Sequence, residues 1–273
     1  MTSITVRRSQ FTAQNSQARH YVTGRSPLMA HLLTALSVTF PAGEQFFVHS
    51  VRNVRAQVSD DTLQKQISAF IGQEAMHSQA HAQFNAVLDA PDYLLNQFNV
   101  QMSEGMTVLK TRSLRRQLAA TVAYEHFTAL IAAYLLKHPQ LWQGLDNNLQ
   151  HLWLWHAVEE LEHKSVAFDV YQHVFGVDKQ GSLAQRRRSM RTVSMGFVLG
   201  LSTMTSQLLW QDRQQSLKSV KQWLLLLQDG AALALMVARL LPEYLAFYKP
   251  NFHPNQRNHQ ALLAEWKGKL GLV

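Results

Sequence analysis

The run Trp153-Leu154-Trp155-His156-Ala157-Val158-Glu159-Glu160-Leu161-Glu162-His163 sets three carboxylates and two imidazoles among residues of core type. A carboxylate is costly to bury unless it is paired or bound to a cation. Glu160 and His163 are three residues apart, about 60° around a helix of 3.6 residues per turn, so both reach one point. The segment reads as a buried helix that carries metal ligands.

Upstream, Glu74 and His77 repeat the spacing in Ala69-Phe70-Ile71-Gly72-Gln73-Glu74-Ala75-Met76-His77. Glu44 is the only acid between Pro27 and Ser59, and Glu125 the only acid between Ser113 and Lys137. Chance pairing of nine Glu with thirteen His gives fewer than one Glu-x-x-His, and here two occur, with lone glutamates in the intervening helices. The order Glu44, then Glu74 with His77, then Glu125, then Glu160 with His163 is the ligand pattern of di-iron and di-manganese carboxylate bundles. Two Fe ions suit this set, Mn also fits, and Zn less so, because it takes four tight ligands per ion. The competing reading is a set of buried salt bridges, but Lys and Arg are scarce near these centres in the sequence.

The fold class expected is all-α: a ferritin-like four-helix bundle with two or three additional C-terminal helices. Strand-type alternation is essentially absent. An extended arm covers 1–25, the metal-binding bundle 26–177, and 178–273 supplies C-terminal helices packed on it. Pro41 predicts a kink or a fresh start in the first helix, which runs to about residue 59. Ser59-Asp60-Asp61 caps a second helix over 62–88, ended by Asp89-Ala90-Pro91-Asp92. Residues 91–110 hold one short helix and a loop. Further helices are expected over 113–137, 146–175, 183–212, 216–248 with a break near Pro242, and 256–268.

Composition narrows the chemistry. The chain has 273 residues, 47% apolar and 16% charged, which excludes disorder for most of it. It has no Cys, so disulfides, Cys-bound zinc and iron–sulfur clusters are excluded. A net charge of +8 favours anionic partners without naming one. The basic run Arg186-Arg187-Arg188 lacks the motif context for nucleic acid, and none is expected as a partner. No apolar leader is seen near the N-terminus, so a cytoplasmic location is expected. Residues 192–210 carry no charge, but their Ser, Thr and Gln make a poor membrane span. They are read as a buried or interface helix, and membrane-surface association is not the expectation.

At these residues the sequence resembles the ferritin-like di-iron oxygenases and ribonucleotide reductase radical subunits. More closely, FPAGEQFFVHSVR, FIGQEAMHSQAH, YEHFTA and WHAVEELEHKSVAFDVY resemble the bacterial family labelled predicted metal-dependent hydrolases, over roughly residues 20–255 and including Phe252-His253-Pro254. The resemblance implies that Glu44, Glu74, His77, Glu125, Glu160 and His163 are the ligands, with Glu74 and Glu160 bridging and Glu44 and Glu125 terminal. His156 gives His-x-x-x-Glu-x-x-His, similar to the extra-histidine site of p-aminobenzoate N-oxygenase. Both a third imidazole ligand and a core histidine against Trp153 or Trp155 remain open for it. His81 lies two turns from Glu74 on the same stripe and reads as an outer-layer or pocket residue. His126, Glu159 and Glu162 point away from the ligand direction, the last two toward hydrogen bonds or solvent. Tyr124 and Tyr171 read as ordinary buried tyrosines.

Three function classes fit. The first is an oxidoreductase that uses two metal ions, dioxygen and an electron donor on a small, hydrophobic substrate, with the helices after 183 lining its pocket. The second is a metal-dependent hydrolase with a metal-bridging hydroxide. The third is a non-catalytic metal-binding or storage bundle. A homodimer through the apolar C-terminal helices is also expected.

Overall fold

The computed structural model describes residues 4–12, 21–88 and 94–272, and within these it contains helices and no strand. The elements are α1 (Pro27–Arg52), α2 (Asp61–Leu88), α3 (Leu95–Lys110), α4 (Leu114–Lys137), α5 (Asn147–His163), α6 (Val166–Phe175), α7 (Lys179–Ser216), α8 (Val220–Ala246) and α9 (Gln260–Leu270). α1, α2, α4 and α5 form the central bundle. α1 packs on α2 and α4, and α5 packs on α4 and α2. α7 lies across α1 and α4, and α9 closes on α5 and α4, its Trp266 indole donating to the Leu136 carbonyl of α4 at 2.9 Å.

Two apolar cores fill the bundle, and the ligand residues fall between them. One holds Leu36, Phe84, Ala132 and Leu152; the other holds Phe46, Phe70, Ala119 and Val166. On α1, α2 and α4 the chain passes from one core to the other at Glu44, at Glu74 and His77, and at Glu125. On α5 and α6 it does so at His163.

Several boundaries depart from the sequence expectation. α1 runs unbroken through Pro41 and ends at Arg52. A proline leaves the carbonyl four residues back without its amide donor. Here the Asn85 amide donates to the Ser37 carbonyl at 3.2 Å, so the deficit is met from α2. The Ser78 hydroxyl also donates to the Pro41 carbonyl at 3.1 Å. Residues 95–110 form one sixteen-residue helix rather than a short helix and loop. The expected 146–175 helix is interrupted at Lys164-Ser165, where the Lys164 ammonium donates to the Arg257 carbonyl at 2.6 Å. α8 continues past Pro242, and α9 starts at Gln260 rather than near 256. The expected stop at 89–92 lies outside the described residues.

Asp60 and Asp146 cap α2 and α5 by accepting from Leu63 and Leu149 amides at 2.7 and 2.8 Å. Residues 4–12 of the arm lie against the bundle. A Cβ on Gly72 would sit 2.5 Å from Val6, so only glycine lets this strap approach α2 so closely.

Candidate metal centre

The four bundle helices bring Glu44, Glu74, His77, Glu125, Glu160 and His163 into the seam, every one buried. Three groups with donor atoms close enough to hold a metal ion arise among the described residues: Glu44 with His77 and His156, Glu74 with His77 and Glu160, and Glu74 with Glu125 and His163. Glu74 and His77 are shared between groups, so the groups are contiguous. His163 Nε2 lies 3.1 Å from Glu74, 3.5 Å from Glu125 and 3.6 Å from Glu160. His77 Nδ1 lies 3.6 Å from Glu160 and 3.9 Å from Glu74. His156 Nε2 lies 3.0 Å from Glu160 and 3.5 Å from Glu44, so its ring belongs to the same cluster.

The donor atoms lack partners of their own. Nine buried side-chain atoms without a hydrogen bond belong to these residues: both oxygens of Glu44, Glu74 and Glu125, Glu160 Oε2, His77 Nδ1 and His163 Nε2. Orphaned buried acceptors cost about 1–3 kcal/mol each, more when charged, and that penalty disappears if a cation meets them. Four carboxylates balance two divalent cations, so the residues present fit a dimetal group.

Electrostatics tell the same story. Burial, and then the charges of Glu74, Glu160 and Glu125, push Glu44 well above the usual carboxylate range. Burial and then Glu74 do the same to Glu125, with His163 opposing. Burial raises Glu74 against the pull of His163. At Glu160 burial acts upward but is outweighed by His163 and His156, which hold it well below. At His163 burial acts downward but is outweighed by Glu160, Glu74 and Glu125, so it stays well above the usual imidazole value. Burial and then His156 push His77 and His81 well below it.

A second layer of hydrogen bonds fixes which nitrogen of each ring faces the cluster. The Ser37 hydroxyl donates to Asn85 Oδ1 at 2.6 Å, so it accepts from His81 Nδ1 at 2.8 Å. His81 Nε2 must then accept from His156 Nδ1 at 2.8 Å, which turns His156 Nε2 toward Glu44 and toward Glu160, its hydrogen-bond partner at 3.0 Å. Gln73 Nε2 donates to Glu162 and to the Thr5 carbonyl, so its Oε1 accepts from His163 Nδ1 at 2.9 Å. His77 Nε2 donates to Glu159 at 3.1 Å. Each of the three rings thus turns its other nitrogen, His156 Nε2, His163 Nε2 or His77 Nδ1, toward the seam.

Glu159 and Glu162, expected at hydrogen bonds or in solvent, are buried and bonded. Arg7 reaches Glu159 at 3.0 Å and grips Glu162 through two nitrogens at 2.8 and 3.0 Å. Lys267 of α9 pairs with Glu162 as well. Burial carries Glu159 up to about 7, against the pull of Arg7. The cations absent from the sequence neighbourhood therefore arrive from the two ends of the chain. Nothing in the aperiodic arm marked Arg7, whereas Gln73 and the stripe His77, His81, Asn85 carried a signal as polar residues on an apolar helix. His126 bonds the Glu243 carbonyl at 3.3 Å, away from the cluster, and the Tyr171 hydroxyl donates to the Ser182 carbonyl at 2.9 Å. Tyr124 packs on Phe47 and is raised by burial.

A narrow pocket ends on the cluster. Its rim is formed by half-buried Phe40, Thr128, Ile131, Leu135 and Phe197, and its floor by buried Trp153, His156, Ala157 and Glu160. Phe197 belongs to α7, so a helix outside the bundle helps shape the entrance.

No curated protein and no solved structure matches the chain significantly. The family model described as predicted metal-dependent hydrolase matches residues 5–258, a span that includes every cluster residue and the Arg7 strap. With two Glu-x-x-His pairs and two lone glutamates meeting in a buried seam, the chain belongs to the predicted metal-dependent hydrolase family.

Proposed function

We propose that the chain is an enzyme whose seam holds two iron or manganese ions and oxidises a small apolar substrate with dioxygen, using electrons from an external donor. The observation that carries this reading is the apolar pocket that ends on two donors of a carboxylate-rich cluster, His156 and Glu160. Glu44, His77 and His156 would hold one ion and Glu125 and His163 the other, with Glu74 and Glu160 between them. Carboxylate and imidazole donors suit iron and manganese. When bound, a redox-active pair supplies electrons for chemistry with dioxygen, whereas a redox-inert pair supplies Lewis acidity for hydrolysis. The chain itself orients and shields. Phe40, Ile131, Leu135 and Phe197 select an apolar substrate and keep water out. The outer hydrogen bonds hold each imidazole in one tautomer, and Arg7 and Lys267 keep neighbouring carboxylates from adding uncompensated charge.

Hydrolysis is the second reading, favoured by the family's description. Against it, the Thr128 hydroxyl of the pocket donates to the Glu125 carbonyl at 3.1 Å, which leaves the Trp153 indole N–H as a single unpaired donor among the lining side chains, where an oxyanion is ordinarily met by two.

Metal analysis of anaerobically purified protein, followed by an optical trace on admitting oxygen, tests the proposal. About two ions per chain and an absorbance change that requires oxygen are expected. Ester or phosphoester turnover without oxygen or reductant would overturn it in favour of hydrolysis.

A further inference from the structure

α7 and α8 form an outer layer whose far side is apolar. Twelve of the seventeen large apolar side chains most exposed among the described residues lie on these two helices, Leu199, Trp210, Trp223, Leu224 and Leu227 among them. A dozen such side chains expose on the order of 1,000 Å², where a monomer in water keeps patches of a few hundred. Among the described residues, two helices are long and apolar enough to cross a membrane. α4 is mostly buried core, but α8 has almost none of its apolar stretch buried.

The charge pattern selects what covers this face. Residues 179–249 contain ten Lys and Arg but only three acids, Asp212, Asp229 and Glu243. All three acids face the protein. Asp212 meets His31 at 3.4 Å, Asp229 pairs with Arg25 at 2.7 Å and accepts the Ser26 amide at 2.9 Å, and half-buried Glu243 meets Arg257 at 3.7 Å. Arg188, Arg191, Lys218, Lys221 and Arg239 are exposed. An apolar face with a cationic rim repels a second copy of itself and complements anionic headgroups. Trp210 and Trp223 flank the turn between the helices, and the Arg213 guanidinium stands 3.8 Å over the Trp210 ring, as in aromatic anchors at a water–lipid boundary.

We propose that the outer face of α7 and α8 docks on an anionic phospholipid bilayer, with the apolar side chains in the headgroup–acyl boundary and the rim cations on the headgroups. The helix lies on the bilayer and does not span it, because the Asp229 pair with Arg25 ties the middle of α8 to the bundle. The pocket rim residue Phe197 shares α7 with exposed Met195, Val198 and Leu199, so the docked protein carries its entrance close to the lipid phase. That last link rests on the function proposed above; the docking itself does not.

Flotation of the full-length metal-loaded protein with two vesicle types tests it: phosphatidylcholine alone, and phosphatidylcholine mixed with phosphatidylglycerol. The protein should float with the anionic vesicles, less so as salt rises, with a blue shift of tryptophan emission. Leu224→Glu with Leu227→Glu should lower binding about tenfold or more, with helicity and metal content unchanged, because both side chains are mostly exposed. Lys218→Ser with Lys221→Ser should weaken binding and flatten its salt dependence. Absence of flotation overturns the proposal, and so does equal binding to both vesicle types. A concentration-dependent dimer by light scattering that the Leu224 and Leu227 variant abolishes would assign the face to a second copy instead. Flotation does not depend on oxygen reactivity, and metal content enters only as a control on folding, so failure of the enzymatic reading leaves this result standing, and the reverse.

Discussion

His81 Nε2 accepts the Nδ1 proton of His156 at 2.8 Å, and this one contact decides that His156 meets the cluster through Nε2. Outer partners of metal-bound histidines are commonly worth 10–100-fold in affinity. His81→Ala should therefore weaken retention of one ion about tenfold or more while the Glu125 and His163 side stays loaded. Metal analysis after graded chelation checks this; equal loss of both ions, or of neither, would refute the directional role.

Arg7 is the balancing cation for Glu159 and Glu162. Removing one partner of a buried pair typically costs 3–5 kcal/mol, and the slight exposure of Arg7 and the second cation Lys267 reduce that to about 2 kcal/mol for Arg7→Ala. For a chain of this size the expected fall in Tm is about 4–8 °C, read by thermal unfolding. Arg7→Lys should recover only part of it, since one ammonium cannot reproduce the two-nitrogen grip on Glu162 together with the contact to Glu159.

The glutamates were legible because an acid in the middle of an apolar helix contradicts its surroundings. Glu44, Glu74 and Glu125 each stand alone against a core pattern, Glu160 is set apart from Glu159 and Glu162 by its three-residue spacing to His163, and the separations between helices then agreed with antiparallel packing. His156 was legible one turn from Glu160, but its role needed His81 and Ser37, contacts that no spacing encodes. Pro41 misled because its rescue comes from Asn85 on another helix. The interruption at Lys164-Ser165 has no breaker residue to announce it. The uncharged run at 192–210 showed its composition in the sequence but not its direction; Val193, Met204 and Leu208 pack inward while Met195, Leu199 and Trp210 face out.

In the metal-free protein, the loss of stability with rising pH should weaken when Glu125 is neutralised. Its folded carboxyl is held well above the ordinary value by burial and Glu74, so its contribution is intact below about pH 4.5 and is lost as pH rises through the raised value. Glu125→Gln should therefore be more stable than the parent at pH 8, by on the order of 1 kcal/mol, and should show no gain near pH 4. Urea midpoints of the two chelated proteins across that range measure it. A gain independent of pH would rule out the charge as its source.

Narrowing the pocket should slow the chemistry without emptying the centre. Ile131→Trp fills the rim above buried Trp153 and His156. Oxygen consumption by the ferrous protein should fall about tenfold with metal content unchanged. An unaltered rate would show that oxygen enters elsewhere.

Glu162 is clasped by Arg7 of the strap and by Lys267 of α9. Two segments far apart in sequence thus close on a single carboxylate beside the cluster. Lifting either one leaves that charge unbalanced, so the docking of the strap and of α9 is coupled to the electrostatics of the bundle centre.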